Sequence, residues 1–553
     1  MLAGAATIAL AGCKNARQAG GEVSRNWVPA QPQEYMGVPA VDVQTAITRR
    51  LAAEPPEPLG ADPWKHVRRL YTTFDRRLLW LSDRGVHQPR VSALLRGLAD
   101  ADSDALRLDD YPLAELSEAL AVVGRKRPTA EQLADADVLL TSSFVALGEQ
   151  LLTGQDKPEN FAQSWHINPL EERVDSALVL TLREDDFAAG LARMHPQDPG
   201  YDALRGALAR YRQLVANGGW RPVPAGRALK RGDTTSAARL DALRARLSAE
   251  GYQVESATRP EVYDEQLAGA VADFQQHHSI AVDSVLGGET LEALNVPAEY
   301  RTAQIAANLE RYRWLPRSLG SRYVLVNVPA FTLTAYDDEQ APLEMKVIVG
   351  KDYENRATPV FSDSMEYVIF RPYWNVPPTI AANEVFPKEA AHPGYLASQD
   401  MEIYNDHGRR AVRQRPGPTN ALGLVKFMFP NDFNIYLHDT PQRDLFDKDV
   451  RAFSHGCIRV AKPAELAEWA LGWPADRVQA ELHGSDNHRV NLPYKIPVYI
   501  VYFTTFVRDG DLHFGNDLYD RDDALVERLT RSPVQTQATR EAQRRLRAMA
   551  EGE

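Results

Sequence analysis

Asn434-Ile435-Tyr436-Leu437-His438-Asp439 and, further along, Ser454-His455-Gly456-Cys457-Ile458-Arg459 are the stretches on which the reading of this chain turns. Cys457 is one of only two cysteines in 553 residues. A thiol with its ordinary pKa of about 8.5 is only a few per cent ionised at neutral pH, so a nucleophilic cysteine needs a group that takes its proton. His438 and His455 are the candidates. His455 stands two residues before the thiol and shares a face with it if the segment is extended. His438 stands nineteen residues upstream, at the end of an apolar strand-like run, a spacing that suits two neighbouring elements whose ends meet across a cleft. Gly456 permits a tight turn in which the N–H groups of Gly456 and Cys457 face one point, as an oxyanion hole for acyl chemistry requires. Tyr436 lies on the same strand face as His438 and adds a hydroxyl donor. Arg459 is placed either to hold a substrate carboxylate or to form a structural ion pair.

Working outward, the residues around this pair alternate in polarity as half-buried strands do. Tyr323 to Val328 and Leu343, Met345, Val347 and Val349 show the pattern, and further strands are expected at 367–370, 434–437 and 497–503. They define a mostly β domain over 322–482, followed by a C-terminal strand and helical tail over 483–553, whose charged end from Arg540 reads as a solvated helix. An insertion over about 371–425 opens with Tyr373-Trp374-Asn375-Val376-Pro377-Pro378 and is expected to cap the site, because long loops in compact domains usually serve as lids or binding loops.

Toward the N-terminus the period changes to that of helices. Residues 61–224 carry apolar spacings such as Leu94, Leu95, Leu98 and Leu204, Leu208, Tyr211. Residues 236–297 form a compact helical unit with stripes Leu240, Leu243, Leu247 and Leu267, Val271, Phe274. His277 and His278 lack a third ligand nearby and read as a solvated loop, so no metal is expected. Residues 14–60, rich in Pro, Gln and Glu, read as a linker. The fold class is multidomain α+β.

Composition narrows the function. A net charge of −12 argues against nucleic acid as a partner. No apolar run reaches the ~18 residues of a membrane span. Residues 1–13 are a short apolar run ending Leu10-Ala11-Gly12-Cys13, which reads as a secretory segment and places the mature protein outside the cytoplasm. A disulfide between Cys13 and Cys457 is not expected, since the first lies in that segment.

Several of these stretches resemble known families. Tyr436-Leu437-His438-Asp439-Thr440-Pro441, Leu445-Phe446 and Ser454-His455-Gly456-Cys457-Ile458-Arg459-Val460, with Gly417-Pro418-Thr419-Asn420-Ala421-Leu422-Gly423 and Val425-Lys426-Phe427, look like the signature of the L,D-transpeptidase, or YkuD-type, catalytic domain. Tyr71, Leu79-Trp80, Gly154 and Tyr201 through Gly218-Gly219-Trp220 are similar to the scaffold domain of large L,D-transpeptidases. Phe274-Gln275, Ile280, Asp283, Gly287, Thr290, Leu291 and Leu294 resemble the three-helix peptidoglycan-binding module. Ser279 and Ser284 stand where that module usually has glycine, which implies altered loops. Leu10-Ala11-Gly12-Cys13 resembles a bacterial lipobox, which implies acylation of Cys13, a lipid anchor and a periplasmic body.

The resemblance implies Cys457 as nucleophile and His438 as general base and acid. Ser454, His455, Gly456, Tyr436 and the Asp439 carbonyl take supporting roles, and Trp374, Asn420 and Arg459 are candidates for substrate binding. It implies acyl transfer through a cysteinyl thioester that links third residues of peptidoglycan stem peptides, with no cofactor and with acylation by carbapenem-type inhibitors. Hydrolysis of the same intermediate, attachment or release of a protein at the wall, and a non-catalytic wall-binding scaffold are the alternatives.

Overall fold

The structure is a computed structural model that describes residues 27–124, 127–161, 165–167, 174–255, 259–338, 340–351, 357–530 and 537–551. Cys13 and the whole of 1–13 lie outside the described residues.

In the C-terminal half, strands with apolar residues at alternate positions form a ten-stranded sheet that closes on itself. Arg322–Asn327, Thr332–Asp337 and Gln340–Gly350 run as an antiparallel meander. The sheet continues from Gln340–Gly350 through Ile458–Val460, Leu437–His438, Val425–Met428, Val360–Phe370 and His488–Val501, and the last of these returns to Arg322–Asn327. Val324, Val326, Leu333, Val347, Val368, Phe427, Leu437 and Ile458 fill its interior. Most neighbours are antiparallel, but Leu437–His438 and Ile458–Val460 are parallel. Parallel neighbours need a crossover, and here the connection is the segment that carries Ser454 to Cys457. The parallel pairing is therefore what brings the end of one motif beside the end of the other.

His488–Val501 pairs on both sides within this sheet, so the catalytic domain extends past residue 482 and the segment is no appendage. Its first half is largely exposed and polar, which hides the strand period. The tail helix Gln537–Glu551 is likewise not solvated. It buries Ala542, Leu546 and Ala550 against scaffold helices Gln88–Ala99 and Leu113–Val123, and Gln543 and Arg547 donate to the Ala99 carbonyl at 2.6 and 2.9 Å.

The scaffold is organised around the helix Ala130–Thr153, started by a capping box between Thr129 and Gln132. Within it the buried Asp137 carboxylate accepts from the Tyr71 hydroxyl at 2.6 Å and from the backbone N–H groups of Leu79 and Trp80. From residue 27 on, the segment read as a linker folds onto this domain: Ala40–Ala52 is a helix whose Val43, Ala46 and Ile47 face Ala130–Thr153. Its short apolar stripe sits inside Pro- and Gln-rich surroundings that mask it. The helix Ala298–Arg313 joins scaffold to sheet and is buried along almost its whole length, with Arg311 on Asp522 at 2.5 Å and Arg313 on Glu310 at 2.5 Å.

Three helices, Ala237–Glu250, Glu265–His277 and Gly288–Leu294, form the small module around Leu240, Leu243, Val271 and Phe274. Ser279 and Ser284 themselves adopt left-handed φ values of 53° and 59°, so the turns keep their shape with serine in them. His278 is buried rather than solvated, its ring stacked 3.7 Å from Phe274 and 5.3 Å from Phe514 of the hairpin Thr505–Arg508/Asp511–Phe514. The cause is docking of the module on that hairpin. No three-residue group fit to hold a metal occurs among the described residues.

The insertion is a folded subdomain and not a bare loop. Trp374–Asn375, Arg409–Gln414 and Met401–Asp406 pair as a three-stranded sheet, and Val376, Ala381, Val385, Leu396 and Val412 make its own core.

Candidate active site

Register sets the site. Leu437 faces Ile458 and His438 faces Arg459 across the parallel pair, which leaves Tyr436 beside Cys457. The Ile458 N–H donates to the Tyr436 carbonyl at 3.1 Å. Cys457 is half-buried, and its Sγ lies 3.6 Å from the Asn434 carbonyl. Burial pushes the thiol up, and it is opposed by donors from the Tyr436 backbone and hydroxyl and by the cations Lys426 and Arg459. Burial, followed by the charge of Cys457, keeps the Tyr436 hydroxyl protonated as a donor.

His438 is buried, with Nδ1 2.5 Å from the Asp439 carbonyl. That contact leaves the proton on Nδ1 and the lone pair on Nε2. Burial first, then Arg459 and Lys426, hold the imidazole down at about 3, against the Asp439 and Leu422 carbonyls. At neutral pH it is therefore a neutral base. No hydrogen bond joins it to Sγ among the described residues, and the donors around the sulfur come from Tyr436. Catalytic hydrogen bonds often form only in the substrate complex.

The loop before the sulfur is held by its own side chain. Gly456 has φ 112°, a conformation that excludes a Cβ. Its N–H donates to Ser454 Oγ at 3.1 Å, and Ser454 Oγ donates to the Cys457 carbonyl at 2.5 Å. The expected pair of oxyanion donors is thus corrected: the Gly456 N–H is engaged, because a buried serine hydroxyl needs a donor as much as the turn needs an acceptor. The Cys457 N–H has no partner among the described residues. Thr358, which the sequence did not single out, donates to the Gly456 carbonyl at 2.9 Å and accepts from the Gly350 N–H at 2.9 Å.

The other candidates divide. His455 is exposed, with Nε2 2.9 Å from Glu384 of the insertion, so it ties that subdomain to the loop and does not face the sulfur as a hydrogen-bonding base. Asp439 accepts from the Leu424 N–H at 2.9 Å, and its side chain lies so close that Gly423 has no room for a Cβ. Asn420 is fully buried and does not face a substrate groove. It clamps the base of the insertion through the carbonyls of Pro372 and Arg415 at 3.1 and 2.9 Å, which is the chemistry of a turn residue with no water to bond. Trp374 packs half-buried against the core of the insertion. Arg459 pairs with no carboxylate among the described residues and donates to Gln442 at 2.6 Å. Lys426 was quoted only as part of a motif. It lies opposite His438 with Nζ 3.6 Å from the Tyr436 ring centroid, a proximity that no local spacing reveals.

A thiol among fixed donors and cations beside a neutral, single-tautomer imidazole is the equipment of cysteine-dependent acyl chemistry on a β scaffold. Comparison with known proteins gives matches at the level of families and relatives. Residues 321–500 match the L,D-transpeptidase catalytic domain (YkuD), 65–208 the Scaffold domain and 236–294 the "Putative peptidoglycan binding domain". These three stretches are thus similar to a YkuD-type L,D-transpeptidase catalytic domain and two companion domains. The chain is 31% identical over 275 residues to a Haemophilus influenzae protein described as "Putative L,D-transpeptidase", a match that covers 45% of this chain and 55% of that one. The chain thus spans about half the length of this curated relative. Among solved structures, the L,D-transpeptidase of Xylanimonas cellulosilytica is 17% identical, covering 50% of this chain and 99% of its own at a TM-score of 0.16. A fused Zn-dependent amidase/peptidase/peptidoglycan-binding protein of Clostridium acetobutylicum is 12% identical, covering 50% and 100% at 0.14.

Proposed function

We propose that this protein forms cross-links between third residues of peptidoglycan stem peptides through a thioester on Cys457. The observation that carries the reading is the donor set around Sγ beside an imidazole kept neutral. In the first step Sγ attacks the carbonyl carbon of the third residue of a tetrapeptide stem, and the C–N bond to the terminal alanine breaks. As the sulfur attacks, His438 Nε2 takes the thiol proton and then delivers it to the departing amine, while Nδ1–H stays on the Asp439 carbonyl. The Cys457 N–H and the Tyr436 hydroxyl stabilise the oxyanion. In the second step the amine of a neighbouring stem opens the thioester, and its proton passes through Nε2 to the departing sulfur, which restores the thiol and the neutral imidazole. The matches of the scaffold and peptidoglycan-binding domains support a wall-facing protein. Export, with lipid attachment at Cys13 and a periplasmic body, completes the proposal.

Intact-protein mass spectrometry with a tetrapeptide donor, and separately with a carbapenem, tests the chemistry. A mass increase in wild type that is absent in Cys457→Ala is expected, and an adduct that survives in Cys457→Ala refutes the nucleophile. Cys13→Ser should release the protein from membranes, and unchanged fractionation removes the anchor.

A further inference from the structure

We infer that Lys426 is the fixed cation that stabilises the Cys457 thiolate, a task separate from the proton transfer assigned to His438. Lys426 stands on Val425–Met428 directly opposite His438 in antiparallel register, so both side chains leave the same face of the sheet. Its Nζ sits 3.6 Å from the centroid of the Tyr436 ring, and the parallel register places Tyr436 next to Cys457. The ammonium is thereby held against the residue beside the nucleophile. Lys426 is half-buried and forms no ion pair with a carboxylate among the described residues; the Cys457 sulfur is the acid whose charge draws it. An ammonium withdrawn from water without a counter-ion is costly, so a lysine kept in such a place marks where an anion forms.

The remaining charged and titratable groups around the sulfur agree. Arg459, whose guanidinium bonds the neutral Gln442 at 2.6 Å, is the second cation. Burial, Arg459 and Lys426 together keep His438 from becoming an imidazolium. Burial brings the Lys426 ammonium down to about 8, still charged at neutral pH. The positive charge facing the sulfur therefore resides on Lys426 and Arg459 and not on the imidazole, which stays neutral and ready to take a proton from an incoming amine.

This inference rests on Cys457 as nucleophile, but alkylation by iodoacetamide tests it without any peptidoglycan. The sulfur displaces iodide, and the rate follows the thiolate fraction. The measurement is the rate at Cys457 in the full chain across pH, separated from Cys13 by peptide mass spectrometry. Lys426→Met should alkylate ~10-fold more slowly at neutral pH, with its profile moved up by about one unit, the low end of the ~1–3 units by which a neighbouring opposite charge shifts an acid. Lys426→Arg should restore most of the rate, and His438→Gln should leave the midpoint in place. A Lys426→Met profile that coincides with wild type overturns the inference, as does an equal shift in His438→Gln. A second measurement does not depend on how Lys426 variants fold. By linkage Cys457→Ala should lower the titration midpoint of Lys426, read from its 13Cε shift, and an unmoved midpoint overturns the proposal. If the alkylation effects hold while no donor peptide acylates Cys457, the transpeptidase reading fails and the thiolate assignment stands.

Discussion

Ser454→Ala isolates what holds the nucleophile loop in place. The Ser454 hydroxyl is 3% exposed, accepts from the Gly456 N–H at 3.1 Å and donates to the Cys457 carbonyl at 2.5 Å. Alanine removes both bonds and leaves a buried donor and a buried acceptor with nothing in the space vacated. Leaving a buried polar group unmet costs about 1–3 kcal/mol, so the pair destabilises this loop conformation by about 2–6 kcal/mol. The loop has an escape that the barrel lacks: Gly456 is at φ 112° and can leave that conformation readily, carrying Cys457 away from Tyr436. Displacement of a reacting atom by about 1 Å costs roughly 100-fold in rate. Acylation by a carbapenem, followed by stopped-time mass spectrometry, should therefore slow by roughly 100-fold, while the urea midpoint falls only modestly because the loop yields before the sheet does. Acylation within about threefold of wild type, with an unchanged urea midpoint, would show that the hydroxyl does not hold the turn and would refute the reasoning.

His438→Ala should slow acylation by about 10²–10⁴-fold, the range for loss of a general acid and base, and His455→Ala should stay within about tenfold of wild type. The reverse order in the same assay would transfer the role to His455. Glu250 supplies a pH dependence: burial raises its carboxyl, but His278 and Arg246 outweigh burial and hold it well below its ordinary value of 4.5. A depressed carboxylate stabilises the fold fully above the unfolded value and loses that contribution as pH falls, so docking of the small module should weaken below about pH 4.5. Urea midpoints between pH 6 and 3 should fall less steeply in Glu250→Gln than in wild type; parallel slopes would contradict the assignment.

Local pattern and tertiary arrangement divide this protein at identifiable residues. The α+β class, the strand period of the catalytic domain and the helix stripes of the small module were legible because burial imprints a repeat of two or of about 3.6 on the chain. His438 and Cys457 stood out because a thiol, two imidazoles and a glycine occur close together in a chain with two cysteines. Tertiary structure alone decided the rest. Ser454 takes up the Gly456 N–H, leaving that of Cys457; Asn420 clamps backbone carbonyls; Gln537–Glu551 docks on a scaffold more than four hundred residues away in sequence. Lys426 beside the sulfur likewise follows from a register between strands. The physical reason is that the sequence records which groups seek a partner, but the packed fold determines which donor, acceptor or charge arrives, whether from a distant segment or, as at Ser454, from the local turn that the fold holds.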